Sequence, residues 1–177
     1  MIQIGAPAAT VDSPIEHLMA CHRRIEERLE TLIKAAGHIE NDRTAALDAI
    51  AKSLQFLDTS GVLHTEDEEV SLFPRLRQKL SATEIAFVDS LEAQHGEAES
   101  IYSLLKQLAS ELNARNTPSP NLIGRYRGCA ERLQSLYQAH IRAEDEILTA
   151  MATRSLGELE IAEISREMRE RRSRERF

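Results

Sequence analysis

The chain has 177 residues, a net charge of −7 at neutral pH, and 42% hydrophobic and 29% charged residues. This length is enough for one domain with a buried core. The acidic balance argues against a general binder of nucleic acid or anionic membranes, and no apolar run approaches the ~20 residues that span a bilayer. We expect a cytoplasmic protein, because the N-terminal residues lack a secretory signal and the two cysteines form no Cys-x-x-Cys pair.

The predicted elements are all helical. Residues 1–13 are expected to form an irregular arm, and Pro14 opens the first helix, which runs to about Ala36. Further helices are predicted at about 42–73, 82–115, 121–153 and 156–172. Pro74 should end or kink the second of these helices. Short connections between four long helices predict an all-α fold, an antiparallel up-down-up-down four-helix bundle over residues 14–154. A short C-terminal helix and basic tail follow at 155–177.

Each of the four long helices carries a histidine on its apolar stripe, and in three of them a glutamate follows four residues later. These polar stripe positions are His22, His64, Glu68, His95, Glu99, His140 and Glu144. Residues three and four apart share a helix face, and a bundle helix buries its apolar face. Unpartnered carboxylates there would be costly. A bound pair of metal ions is the simplest way to satisfy all seven side chains.

The ligand types narrow the choice of metal. Imidazole and carboxylate without thiolate favour iron or manganese, whereas a structural zinc site usually contains sulfur ligands. The ferritin-like di-metal site needs Glu-x-x-His on two helices, and this chain offers that spacing only at Glu92 and His95. The pattern therefore predicts a different helical di-metal site, in which the glutamates of the second and fourth helices can bridge two cations.

Three segments carry a family resemblance. Residues 14–26 read PIEHLMACHRRIE, residues 64–74 read HTEDEEVSLFP, and residues 140–148 read HIRAEDEIL. In this order they resemble the motifs of bacterial hemerythrin-like (HHE cation-binding) proteins. The tail at 156–172 also resembles the short terminal helix of these proteins, so the resemblance covers roughly residues 14–172.

The resemblance implies two iron ions joined by an oxo or hydroxo group, for which manganese or zinc could substitute. One iron would be held by His22 and His64, the other by His95, Glu99 and His140, with Glu68 and Glu144 as bridges. Asp145 stands at the spacing that the oxygen carriers of the family use for one bridge, so the choice between Glu144 and Asp145 stays open. Glu144 is preferred because it continues the apolar stripe.

Glu99 departs from the oxygen carriers, which have a histidine in its place. A carboxylate adds negative charge and favours the ferric state, so the departure favours a centre that reacts with O2, peroxide or NO over reversible oxygen carriage. The alternative is an iron or oxygen sensor without turnover, and carriage or storage of oxygen or iron comes third. The expected ligand is thus a small molecule.

Two charged segments remain outside this pattern. The residues that flank the second-helix motif, Glu66, Asp67 and Glu69, are interpreted as a solvent face or as partners of the metal ligands. The run 166–177 holds six arginines and three glutamates. We interpret it as a solvated helix end whose cations suit the helix dipole, with a docking tail as the alternative.

Overall fold

The computed structural model describes residues 13–174, and this part of the chain is helical without any strand. The predicted all-α class is confirmed. We number five helices: α1 (Pro14–Ala36), α2 (43–77), α3 (Ala82–Ala114), α4 (120–155) and α5 (Glu158–Arg174). The predicted N-terminal arm lies outside the described residues except for Ser13. Within residues 13–174, no helix is both long and apolar enough to cross a bilayer.

Helices α2 and α4 are interrupted by π-helical turns. In α2 the α-helical segments Arg43–Phe56, Val62–Glu66 and Phe73–Arg77 alternate with π turns at Leu57–Gly61 and Asp67–Leu72. In α4 a π turn at Glu144–Leu148 separates Pro120–Ala143 from Thr149–Ser155. A π turn inserts one extra residue into the helical repeat, and such turns occur frequently at functional sites.

Helix α2 does not end at Pro74 but continues to Arg77, so the predicted end is wrong. Proline lacks the N–H group that an α-helix needs and collides with the carbonyl four residues earlier. Here Pro74 occupies the first turn of the α-helical segment Phe73–Arg77, directly after a π turn. The ordinary hydrogen-bond pattern is already interrupted at that point, which makes proline acceptable.

Side-chain caps begin three helices. Ser81 and Glu84 form a capping box at the start of α3. The Asp42 carboxylate accepts a hydrogen bond from the Ala45 amide at the start of α2, and the Ser119 hydroxyl accepts one at the start of α4. These caps satisfy amide groups that have no partner inside the helix.

Contacts between α2 and α3 show that these helices run in opposite directions. Arg43, at the start of α2, donates to the carbonyl of Leu112 near the end of α3, whereas Arg77, at the end of α2, binds Asp89 near the start of α3. Helix α4 packs against both α1 and α3.

The core is divided into two apolar clusters. The larger cluster includes Ile25, Leu32, Leu105, Tyr126 and Leu133. The smaller cluster includes Leu18, Phe73, Leu91, Leu148 and Met168. Members of both clusters occur on α1, α2, α3 and α4, so the space between the clusters is enclosed by these four helices.

Helix α5 packs onto α2, and this corrects the expectation of a solvated end for Arg171 and Arg172, whereas residues 175–177 lie outside the described part of the chain. Ile164 and Met168 are fully buried in the smaller cluster. The side chains of Arg171 and Arg172 are only 13% and 23% exposed, and both bind the buried carboxylate of Asp67. An unpaired buried carboxylate is strongly unfavourable, so Asp67 requires these cations.

Candidate metal centre

Six of the seven predicted residues converge in the space between the two apolar clusters. Their ligand atoms form two groups, each within 4.8 Å: His22, His64, Glu68 and Glu144, and Glu68, His95, His140 and Glu144. All six side chains are buried. Because both groups contain Glu68 and Glu144, the two candidate cation positions are adjacent and share these carboxylates.

The four helices each supply part of the centre at the level where the apolar stripes are interrupted. His22 lies between Leu18 of the smaller cluster and Ile25 of the larger one on α1. Glu144 lies between Ile141 and Leu148 on α4 in the same way. The clusters thus enclose the polar residues from both ends and keep them out of water.

The two shared carboxylates each face histidines of both groups. The Oε2 atom of Glu144 lies 3.1 Å from the Nε2 of His22, and its Oε1 lies 3.1 Å from the Nε2 of His140. The Oε2 of Glu68 lies 3.5 Å from the Nε2 of His64 and 3.4 Å from the Nε2 of His95. Each carboxylate therefore lies close to one histidine of each group.

Three of the four imidazoles are held from outside through their Nδ1 atoms. The Nδ1 of His22 lies 2.7 Å from Oδ1 of Asp145. The Nδ1 of His95 lies 2.8 Å from Oε1 of Glu69, and the Nδ1 of His140 lies 2.9 Å from the side-chain oxygen of Gln94. These acceptors fix a proton on Nδ1 and leave the Nε2 lone pair free. Metal-binding histidines characteristically have such partners.

The inward-facing atoms are not satisfied by the protein itself. Among the described residues, both carboxylate oxygens of Glu68 and of Glu144 and the Nε2 of His22 have no hydrogen-bond partner. The Nε2 atoms of His95 and His140 lie 3.0 Å apart, and with a proton on the Nδ1 of each ring their lone pairs face each other. Lone pairs this close repel each other unless they share a proton or bind a cation. The donor set therefore fits a metal centre.

The pKa values of Glu68, His22 and Glu144 also show that the buried charges are not neutralised independently of one another. Burial raises the pKa of Glu68 well above its usual range, and the neighbouring Glu144 carboxylate adds to this. Burial opposes the charging of His22, but the Glu144, Glu68 and Asp145 carboxylates outweigh it and raise the pKa of His22 to about 9. The pKa of Glu144 is lowered despite burial, because His140 and His22 lie beside it. Without metal, the centre must retain protons that a cation would displace.

Glu99, Asp145 and the further buried histidine His17 lie outside the two groups. Glu99 is exposed and lies outside both groups, and the neighbouring Ala98 takes the buried position on α3. Asp145 contacts the outer nitrogen of His22, whereas Glu144 faces the inner one. His17 is buried outside both groups, and burial lowers its pKa.

A cavity of about 470 Å³ reaches the centre from the side of α2 and α3. Its walls include Glu69, His95, Glu99, Tyr102 and Tyr137. Burial raises the pKa of Tyr137 to about 12, with a further contribution from Glu68 and Glu144. The Tyr102 hydroxyl donates to the carbonyl of Leu54 over 3.0 Å, next to the π turn Leu57–Gly61. A small molecule could approach His95 by this route.

The model of the family described as the hemerythrin HHE cation binding domain matches residues 13–152. The chain belongs to this family. The match covers the segments that carry all six converging residues, so the family and the buried histidine and carboxylate cluster together indicate a metal centre.

Curated relatives of this hemerythrin-like chain are distant. An uncharacterized protein of Haemophilus influenzae is 29% identical over 143 residues, which cover 78% of each chain. Iron-sulfur cluster repair protein YtfE of Cronobacter sakazakii is 28% identical over 152 residues, and that of Citrobacter koseri is 26% identical over 151 residues. Each alignment with YtfE covers 81% of this chain and 65% of the relative, so the chain spans about two thirds of the repair proteins' length.

The residues that hold the imidazoles were only partly visible in the sequence. The sequence leaves open whether Glu69 faces solvent or supports a candidate ligand, and the structure shows that it contacts His95. Gln94 was missed, although it directly precedes His95. Its contact with His140 joins α3 to α4, and no pattern within either helix predicts a contact between them.

A substitution of His64 tests directly whether the converging residues bind metal. We expect His64→Ala to lose at least one metal ion per chain after reconstitution with ferrous iron and desalting, because His64 supplies one imidazole to the first group. Metal analysis by mass spectrometry measures this loss. The control is His38→Ala, which changes an exposed histidine. Wild-type metal content in the His64 variant would remove His64 from the ligand set.

Glu68→Gln tests the conflict between the two carboxylates. The pKa of Glu68 is raised in the folded state, so the metal-free wild type loses stability as the pH rises above the unfolded value of 4.5. A neutral amide removes that loss. We expect the metal-free variant to be more stable at pH 7 by about 1–3 kcal/mol and to show no stabilisation by metal.

Denaturant unfolding with and without metal measures both effects. Glu66→Gln is the matched control, because it makes the same substitution at an exposed position of α2. A metal-free Glu68→Gln protein that is less stable than the wild type would contradict the prediction.

Proposed function

We propose that the centre holds two iron ions. His22 and His64 would hold one ion, His95 and His140 would hold the other, and Glu68 and Glu144 would be shared by both. The observation that carries this proposal is that both four-residue groups contain the same two carboxylates. Two separate mononuclear sites would not need to share ligands, and one ion would not need four imidazoles.

The fold around this site is proposed to be an antiparallel four-helix bundle over residues 14–154, with α5 added to it. The opposite directions of α2 and α3 support this arrangement. In such a bundle, side chains on facing helices build the metal site in the interior.

We propose that the iron pair reacts with O2, peroxide or NO in a stress-related role. When bound, iron supplies redox chemistry towards such small molecules. The cavity beside His95 supports this function, because it connects the centre to the surface. The name of the YtfE relatives, iron-sulfur cluster repair protein, agrees with a stress-related role.

The protein side chains have distinct tasks in this proposal. Asp145, Glu69 and Gln94 orient the imidazoles through their Nδ1 atoms. The two apolar clusters exclude water from both ends of the site. The pKa of Tyr137, which lines the cavity, is raised to about 12 mainly by burial, so its hydroxyl keeps its proton at neutral pH.

A sensor function is the second candidate. The inward-facing oxygens of Glu68 and Glu144 have no hydrogen-bond partner among the described residues. Metal binding must therefore stabilise the folded state, and a change in iron content would change the structure around the site. A sensor would use that change without turnover.

Reconstitution with ferrous iron under anaerobic conditions, followed by exposure to air, peroxide or NO, tests these functions. We expect about two iron ions per chain and the visible absorption of an oxo-bridged ferric pair after oxidation. Turnover faster than that of free iron would favour the reactive centre, whereas binding without turnover would favour the sensor. One ion per chain, or no iron, would contradict the two-iron proposal.

The family resemblance implies Glu99 as a further ligand of the second iron, and Glu99→Gln tests this role. If Glu99 binds the second iron, the variant should show an altered ferric absorption spectrum, because an amide replaces an anionic ligand. Glu97→Gln, at an exposed position of the same helix, is the control. An unchanged spectrum for the Glu99 variant would remove this residue from the ligand set.

A further inference from the structure

The contact between α5 and Asp67 lies directly beside a candidate ligand. Asp67 is fully buried, and its two oxygens accept hydrogen bonds from different arginines. Arg171 donates to Oδ1 over 2.5 Å, and Arg172 donates to Oδ2 over 2.6 Å. The next residue in the chain is Glu68, one of the two shared carboxylates.

The rest of the same π turn is also held by α5. Arg171 donates to the hydroxyl of Ser71, and that hydroxyl donates to Oε2 of Glu167 over 2.6 Å. Arg75, one turn later on α2, binds Glu167 as well. The π turn Asp67–Leu72 therefore contacts α5 at more than one of its residues.

A π turn departs locally from the regular hydrogen-bond pattern of an α-helix. In this turn, side-chain contacts with α5 add to what holds Asp67 and the neighbouring Glu68 in place. If Asp67 lost its two cations, its charge would be buried without a partner, which is strongly unfavourable, and a movement of the turn that brings Asp67 to water would relieve this. Such a movement would displace the adjacent Glu68.

We propose that Asp67 is a positioning residue for the metal centre: Arg171 and Arg172 of α5 hold Asp67, and Asp67 in turn holds Glu68 in the orientation that binds metal. This inference rests on the proposed metal-binding function and adds a partner for it, the C-terminal helix. Coupling is reciprocal, so metal binding must also strengthen the docking of α5.

Electrostatic attraction alone predicts a change in metal affinity opposite to the one that the proposal predicts, so a measurement of affinity can test the proposal. Removal of two positive charges near a cation site should tighten the binding of metal if only electrostatic attraction matters. Loss of the position of Glu68 should weaken it. The sign of the change in affinity therefore distinguishes the two explanations.

The decisive experiment compares the affinity of the full-length double variant Arg171→Gln/Arg172→Gln with that of the wild type. Ferrous iron is titrated anaerobically against a competing chelator. We expect an affinity at least about tenfold weaker, in the range found when partners of metal ligands are removed. Arg171→Lys/Arg172→Lys keeps both charges and should restore part of the affinity. An unchanged or tighter affinity in the glutamine variant would overturn the proposal.

Two controls separate positioning from a general loss of stability. Met168→Ala weakens the docking of α5 by removing a buried side chain and leaves the Asp67 contact chemically intact. Arg166→Gln removes a cation that binds Glu170 within α5 and is exposed. An equal loss of affinity in Met168→Ala, at a matched melting temperature, would show that Asp67 has no specific role.

Hydrogen exchange of the wild type gives a second readout that does not depend on the folding of any variant. We expect metal to slow amide exchange in residues 158–174, and equal exchange with and without metal would contradict the coupling. A wild type that binds no metal would overturn the proposed function and this inference together. A wild type that binds metal while the arginine variants bind it equally well would overturn this inference alone.

Discussion

Two carboxylates that face each other inside an apolar core determine the rest of this structure. Glu68 and Glu144 are both buried, and neither has a hydrogen-bond partner among the described residues. Two such groups cannot both be charged in a medium of low polarity unless cations lie between them. The four histidines, the division of the core into two clusters and the contacts that hold the imidazoles can all be understood as consequences of this requirement.

The two π turns Asp67–Leu72 and Glu144–Leu148 lie where neighbouring residues of one helix contact different partners. Consecutive residues on an α-helix point about 100° apart, so two buried neighbours on one helix face different parts of the surrounding structure. In the π turn of α2, Asp67 faces α5 while Glu68 faces the centre, and both are fully buried. In the π turn of α4, Glu144 and Asp145 approach the two ring nitrogens of His22. The turns thus bring extra polar side chains to the site without breaking the helix.

The sequence predicts the helical class and six of the converging residues, because these depend on local periodicity. The same periodicity could not decide between Ala98 and Glu99, which are neighbours on the stripe of α3, and the structure buries Ala98. It also failed at Pro74, where a regular helix was assumed although a π turn precedes the proline. The contacts of Asp67 with Arg171 and Arg172 join residues more than 100 positions apart. No local pattern encodes them, so the arginines were interpreted as a solvated end.

The two His-x-x-x-Glu motifs are alike in more than their spacing. In each motif the histidine and the glutamate face the centre, and the next acidic residue holds a histidine of another helix. Glu69 follows Glu68 and contacts His95 of α3, while Asp145 follows Glu144 and contacts His22 of α1. One motif therefore supplies an imidazole, a shared carboxylate and the support of a further imidazole. A substitution of Glu69 or Asp145 thus acts on a ligand from a different helix, which is why the centre depends on the packing of all four helices.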